Sequence, residues 1–171
     1  LDEMATQDLL TYKCKSLGYA DVGAGAKDPY TPLMGVLEGL SISQETASES
    51  AINGEFYETP LDSVGTLGSY KIEFDLVKYK PEEIAAMEGG KFDAVTGLYT
   101  MPSSFTNVYK QFKLEFYNGI DYIVVYKGKV ATNWDGTDLK TAPLKLHIAI
   151  TALVDDNGKT VEMKMAEPSG G

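Results

Sequence analysis

The chain has no arginine; all 15 of its basic residues are lysines. Nucleic-acid reading and phosphate clamping lean on the planar guanidinium fork, so the absence counts against both. A single cysteine rules out an intrachain disulfide, and with a single histidine it rules out the usual zinc sets. The redox compartment stays undecided, with a lean away from disulfide-stapled secreted scaffolds. No apolar run approaches the ~20 residues a membrane helix needs, so no membrane anchor is expected. The opening "LDEMATQDLL" lacks a basic stretch followed by an apolar one and reads as no signal peptide.

What is present is acidic. Twenty-five Asp and Glu against 15 Lys leave a net charge of −10, and a field of that sign repels nucleic acid. A DNA-grasping role is disfavoured, while a role in which DNA must not stick stays open. With 43% apolar residues in 171, the chain suits one packed domain, 1–171.

Period-two alternation is the main structural signal. In "YKIEFDL", Tyr70, Ile72, Phe74 and Leu76 share one face, with Lys71, Glu73 and Asp75 on the other. "FKLEF" repeats it with Phe112, Leu114 and Phe116, and Asn118-Gly119 then signals a hairpin. The next strand, about 122–127, is apolar or aromatic on both faces at Ile123, Val124 and Val125, which predicts a covered position. "LKLHIAITALV" puts Leu144, Leu146, Ile148, Ile150 and Ala152 on one face. "DDNG" at 155–158 is expected to turn it into a second hairpin with "KTVEMKM". "LLTYKCKSLGY" and "TPLMGVLEGLSIS" read as two further strands.

Against this, "YKPEEIAAMEGG" reads as a helix over about 81–88. Pro81 suits its first position, Glu82 and Glu83 its positive end, and Gly89-Gly90 its stop. So short a helix must dock on the strands, through Ile84, Ala85 and Met87. Residues 44–68, "QETASESAINGEFYETPLDSVGTLG", show no sustained periodicity and read as a long loop of the kind that carries function. Residues 166–171 read as a flexible tail. The expected fold is mainly β, a two-sheet sandwich or barrel-like domain with one flanking helix.

No chemistry stands out. His147 lies mid-strand and Cys14 in another predicted strand, and no local signature joins them as base and nucleophile, so both read as structural. "DGTD" and "DDNG" lack the oxygen spacing of a calcium loop and read as turns. "GGKFDAVTG" follows a helix, the wrong context for a phosphate loop. Glu82 and Glu83 are helix-start carboxylates. The chain is read as no enzyme, without cofactor or metal. Eleven tyrosines, several in predicted neighbouring strands (Tyr109, Tyr117, Tyr122, Tyr126), suit cross-strand pairing and interfaces. A non-enzymatic β protein with a long aromatic-bearing loop suggests assembly with its own copies through open sheet edges.

In order and pattern, "TPLMGVLEGLSIS", "SYKIEFDLVKYKPEEIAAMEGGKFDAVTGLY", "FKLEFYNGIDYIVVYKGKVA" and "APLKLHIAITALVDDNGKTVEM", over about 32–165, resemble the major tail tube proteins of long-tailed bacteriophages. The resemblance implies a β-sandwich that closes into rings of six, stacked into a tube that conducts the genome. It implies a strand pair whose second member ends near Tyr126-Lys127-Gly128. It also implies that the 44–68 loop reaches the neighbouring ring, with Glu55, Phe56, Tyr57 and Leu61 as contact candidates. The helix would cover the outer side of a sheet whose inner face lines the channel, with Glu38, Glu73, Asp75 and Glu115 as candidate lumen carboxylates. Implied partners are further copies of the chain, tape-measure and tail terminator or initiator proteins, and DNA that passes without specific binding. The implied location is the virion, after assembly in the host cytoplasm. Six copies at −10 would put about −60 on each ring before screening. A contractile or secretion-type injection tube is a close cousin of this reading.

Other classes compete. A surface binding module, an immunoglobulin-like adhesin or a carbohydrate-binding sandwich, would use the tyrosines and loops, with Trp134 in "TNWDG" as a stacking platform on a loop. A lipocalin-like barrel would want more evenly spaced strands than the first 70 residues offer.

Overall fold

The computed structural model describes residues 14–23, 25, 27–56, 58–116 and 122–164, without the Val36 side chain. In chain order these form β1 (Cys14–Asp21), β2 (Thr31–Pro32), β3 (Val36–Gln44), β4 (Ser48–Ile52), β5 (Asp62–Thr66) and β6 (Tyr70–Lys78). There follow α1 (Pro81–Glu88), β7 (Lys91–Asp93), β8 (Leu98–Thr100), β9 (Val108–Phe116), β10 (Tyr122–Asp135), β11 (Lys145–Leu153) and β12 (Val161–Lys164). The fold is mainly β and sandwich-like. One antiparallel sheet runs β2-β1-β9-β10-β11-β6-β3, with β12 added on β10, and two small ribbons, β4-β5 and β7-β8, stand beside it.

A single strand builds both layers. On one side β10 pairs with β9 from Tyr122 to Val130; on the other its first residues pair with β12 and Lys127–Asp135 pair with β11. The β9 register shifts between Val125 and Gly128, a bulge of the kind that turns a strand between sheets. Only glycine fits there: a Cβ on Gly128 would lie 2.6 Å from the Ile150 methyl and 3.0 Å from the Phe112 ring. One core results, with Leu17 and Phe112 from the β1-β9 side and Phe74, Leu76, Ile148 and Ile150 from the β6-β11 side. The alternation of "YKIEFDL", "FKLEF" and "KLHIAI" sorts these side chains inward.

Three sequence expectations change. β10 does not stop at Tyr126-Lys127-Gly128; the bulge carries it on to Asp135. The "DDNG" turn does not make a hairpin of β11 and β12. Both run antiparallel to β10 along the same side, so β12 resumes the line of β11 after an excursion over 154–160. Asp155 pins that excursion: its N–H reaches Lys159 O at 2.8 Å, and its Oδ1 accepts from the N–H groups of Asn157 (2.9 Å) and Lys159 (2.8 Å). Third, the 44–68 stretch contains paired strands. Asn118-Gly119, Tyr117 and the 166–171 tail lie outside the described residues, although β9 and β10 flank the first of these as an antiparallel pair.

α1 occupies the predicted span and ends on Gly89 at φ 87°. Ile84 and Met87 are buried in the core, while Ala85 is half-buried. The start is tied down by Glu83, which is itself buried and accepts from the Met34 N–H and, at 3.5 Å, from the Lys80 N–H. The helix therefore packs on the core face of the β10-β11-β6-β3 layer, near its Trp134 end.

Gly128→Ala should lower the stability of the fold by about 1–3 kcal/mol, through overpacking against Ile150 and Phe112. Chemical denaturation measures it, and an unchanged midpoint would remove the bulge from its structural role.

Candidate assembly surfaces

The stretch expected to be a loop is a two-stranded arm. The β3-β6 ladder pairs Ser41 with Glu73, Ile42 with Ile72 and Gln44 with Tyr70. The β4-β5 ladder then pairs Ser48 with Thr66 and Ile52 with Asp62 in the same register. Glu45 N–H bonds Ser69 O at 3.0 Å between the two ladders, and Leu61 N–H bonds Ile52 O at 2.9 Å beyond the last pair. Gly68 is needed at the root, since a Cβ there would sit 1.8 Å from Glu45 O. A Lys71–Glu45 ion pair at 2.7 Å braces it, and its hydrogen bond holds the Lys71 ammonium above its usual range. The ribbon is a continuation of the sheet, reaching on the order of 25 Å past Gln44 at the usual strand rise.

Every residue of β4 and β5 is exposed. Ile52 and Val64 lie on the face that continues from Ile42 and Ile72, so the apolar side of the arm is an extension of the core side that no other described residue covers. At the tip, Phe56 is 90% exposed and Leu61 58%. Glu55 shares this tip, and Tyr57 lies outside the described residues. The arm holds Glu45, Glu49, Glu55, Glu58 and Asp62 and no lysine.

The four carboxylates expected to act together are divided. Glu38, Glu73 and Asp75 share the outward face of β3 and β6, opposite the face that α1 and the core occupy; Glu115 lies on the outside of the other layer, on β9. Nor is the first face simply anionic. Glu38 pairs with Lys145 at 3.0 Å, and Asp75 Oδ1 meets His147 Nδ1 at 2.7 Å across the ladder. The Glu38 bond also holds Lys145 above its usual range. Among the described residues Glu73 has no ion-pair partner. Glu115 sits 3.4 Å from Lys113.

His147 thus has a structural partner. Cys14, on β1, is separated from it by the intervening strands β9 and β10, and burial pushes the thiol pKa up, which suits a packing residue. Among the described residues no three His, Cys, Asp or Glu side chains converge to hold a metal.

Sequence reasoning missed a second, polar cluster on the outside of the β1-β9-β10-β12 layer. Gln111 is fully buried there, accepting from Lys27 N–H (2.9 Å) and the Tyr30 hydroxyl and donating to Gly25 O (2.9 Å). The loop before β2 is tied down this way to β9, and Val124, opposite Lys113 in the ladder, and Tyr126 are buried as well, in keeping with the two-sided apolar pattern of β10. Lys113 lies over the Tyr122 ring at 4.6 Å and the Tyr30 ring at 5.6 Å. An open cleft of about 300 Å³ beside them is lined by Ser16, Asp28, Tyr30, Lys113 and Glu115. Only the doubled aromatics of "DYIVVYKG" hinted at this cluster.

Trp134 is not on a loop. It ends β10 half-buried, edge-on to Tyr79 with ring centres 5.4 Å apart, and its indole N–H donates to Glu88 at 2.7 Å. A shallow cleft of about 270 Å³ beside it is lined by Met87, Pro102, Phe105, Val130 and Trp134. Both clefts fall at or below the low end of small-ligand sites.

No protein-family model matches the chain, and no curated protein matches it.

Tyr126 donates to Glu162 at 2.7 Å, and burial, then that bond, push its pKa from 10.0 up to about 12. The folded chain therefore holds this proton where the unfolded chain has lost it. The associated stability is whole below pH 10 and is lost as pH rises through about 12. Tyr126→Phe should flatten the fall in melting temperature across that window; an equally steep fall would exclude Tyr126 as its source.

Proposed function

We propose that the protein is a structural subunit that assembles with its own copies into stacked rings of six, forming the tail tube through which a long-tailed bacteriophage delivers its genome. The observation that carries this reading is the arm. An isolated two-stranded ribbon is marginal in water, and this one leaves Ile52, Phe56, Leu61, Val64 and Leu67 uncovered. The other support is β3, which among the described residues pairs only with β6 and leaves its second edge open. Sister subunits that add a strand to this edge and cover the arm satisfy both needs at once.

The two-faced layer fits a tube wall. Core and α1 lie on one side of β6 and β3, and Glu38, Glu73 and Asp75 on the other, toward the bore in this arrangement. Local pairing with Lys145 and His147 makes that bore polar, with the repulsion of DNA left to the −10 of each copy. Tape-measure and terminator or initiator proteins are the further partners of this reading, and the virion is its location. The binding-module alternative loses its stacking platform, because Trp134 is committed to Tyr79 and Glu88.

Negative-stain microscopy of concentrated protein should show six-fold rings or tubes. Deleting Thr46–Leu67 joins Glu45 to Gly68, beside the closing pair of Gln44 and Tyr70. The deletion variant should still melt cooperatively yet fail to polymerise. A full-length chain that stays monomeric with tail initiator present, or a deletion variant that polymerises equally well, would contradict the reading.

A further inference from the structure

The chain has five asparagines, and three of them precede glycine: Asn53-Gly54, Asn118-Gly119 and Asn157-Gly158. This dipeptide has a chemistry of its own. The backbone nitrogen of the glycine gives up its proton to water and bonds to Cγ of the asparagine. The Cγ–Nδ2 bond breaks, ammonia leaves, and a five-membered succinimide remains. Water then opens the ring at one carbonyl or the other, giving aspartate or, with the chain rerouted through the side chain, isoaspartate. A glycine allows it because no Cβ blocks the approach. The remaining condition is a backbone mobile enough to bring nitrogen and Cγ together.

The fold divides the asparagines by that condition. Asn107 precedes a β-branched valine, and Asn133 is held in the β10-β11 ladder opposite His147, ahead of Trp134. Asn157-Gly158 has the right sequence in a braced loop. The attacking nitrogen of Gly158 donates to Asp155 O at 3.1 Å, the Asn157 N–H is held by Asp155 Oδ1, and Gly158 is fixed at φ 77°. Asn118-Gly119 lies outside the described residues.

Asn53 is different. It directly follows Ile52, the last ladder residue of β4, in the turn that closes the arm, and its side chain is exposed. Among the described residues nothing packs over β4 or β5 on either face. Local opening costs least at such tips.

We propose that Asn53 is a site of spontaneous deamidation, a built-in ageing site at the tip of the arm. The reaction needs only water. It adds a sixth carboxylate to an arm that already holds five and no lysine. In its isoaspartate form it inserts a methylene into the backbone where the ribbon turns, between Ile52 and the tip residues Phe56 and Leu61. The inference does not depend on what the arm binds.

Peptide mapping by mass spectrometry of full-length protein held at mildly alkaline pH, with isoaspartyl methyltransferase labelling, tests it. Asn53 should convert about tenfold faster than Asn157, where the attacking nitrogen of Gly158 must first leave its hydrogen bond to Asp155. Asn53→Gln should abolish labelling of the arm peptide and leave the melting temperature unchanged. Conversion of Asn157 at the same rate as Asn53 or ahead of it, or isoaspartate persisting in the arm peptide of Asn53→Gln, would overturn the proposal.

Discussion

Backbone pairing between β3 and β6 does not stop where the core stops. Inside the sheet the ladder sets Ile42 against Ile72, with Phe74 and Leu76 beyond them packed in the interior. Outside it, the same register carries on through Ser48–Thr66 to Ile52–Asp62 with no described residue above or below. Hydrogen bonds hold the two strands together along this length, but an isolated hairpin gains too little apolar burial to be rigid in water. The sheet has been extended past what the described residues cover.

The remainder of the molecule gives the extension a firm base. β10 serves both layers through the bulge at Gly128, so the two halves of the sandwich are one hydrogen-bonded sheet and cannot slide apart. α1 closes the Trp134 end through Ile84, Met87 and the buried Glu83. The arm leaves the opposite end, at Gln44 and Tyr70, so apolar features sit at both ends of one layer. Contacts between two different surfaces of like molecules are head-to-tail, and they close into rings or run on as open stacks according to the rotation between copies.

Much of this was legible in the sequence where burial is one-sided. Tyr70–Leu76, Phe112–Phe116 and Leu146–Ile150 alternate because one face meets the core, and α1 is bounded by Pro81 and Gly89. The arm was illegible for the opposite reason. With both faces in solvent, "SESAI" and "DSVGT" carry no periodic signal, and only backbone pairing makes them strands. The sequence reads β10 as shorter than it is because a glycine at a bulge looks like a glycine at a turn. "DDNG" turns the chain, as its residues say, but its turn is an excursion; whether two strands pair with each other or with a third is not a local property. The division of the four carboxylates follows from which layer each strand joins, which periodicity alone does not encode. Gln111 and Tyr30 meet across 81 residues, and no short window contains both.

The most direct test of the central claim is hydrogen exchange, followed from dilute to assembled protein. Amides of 45–67 should exchange rapidly in the dilute state and become protected together with the open edge of 36–44 on assembly. Exchange in these two segments that stays the same at every concentration, or protection that arises only around Trp134 and Phe105, would contradict it.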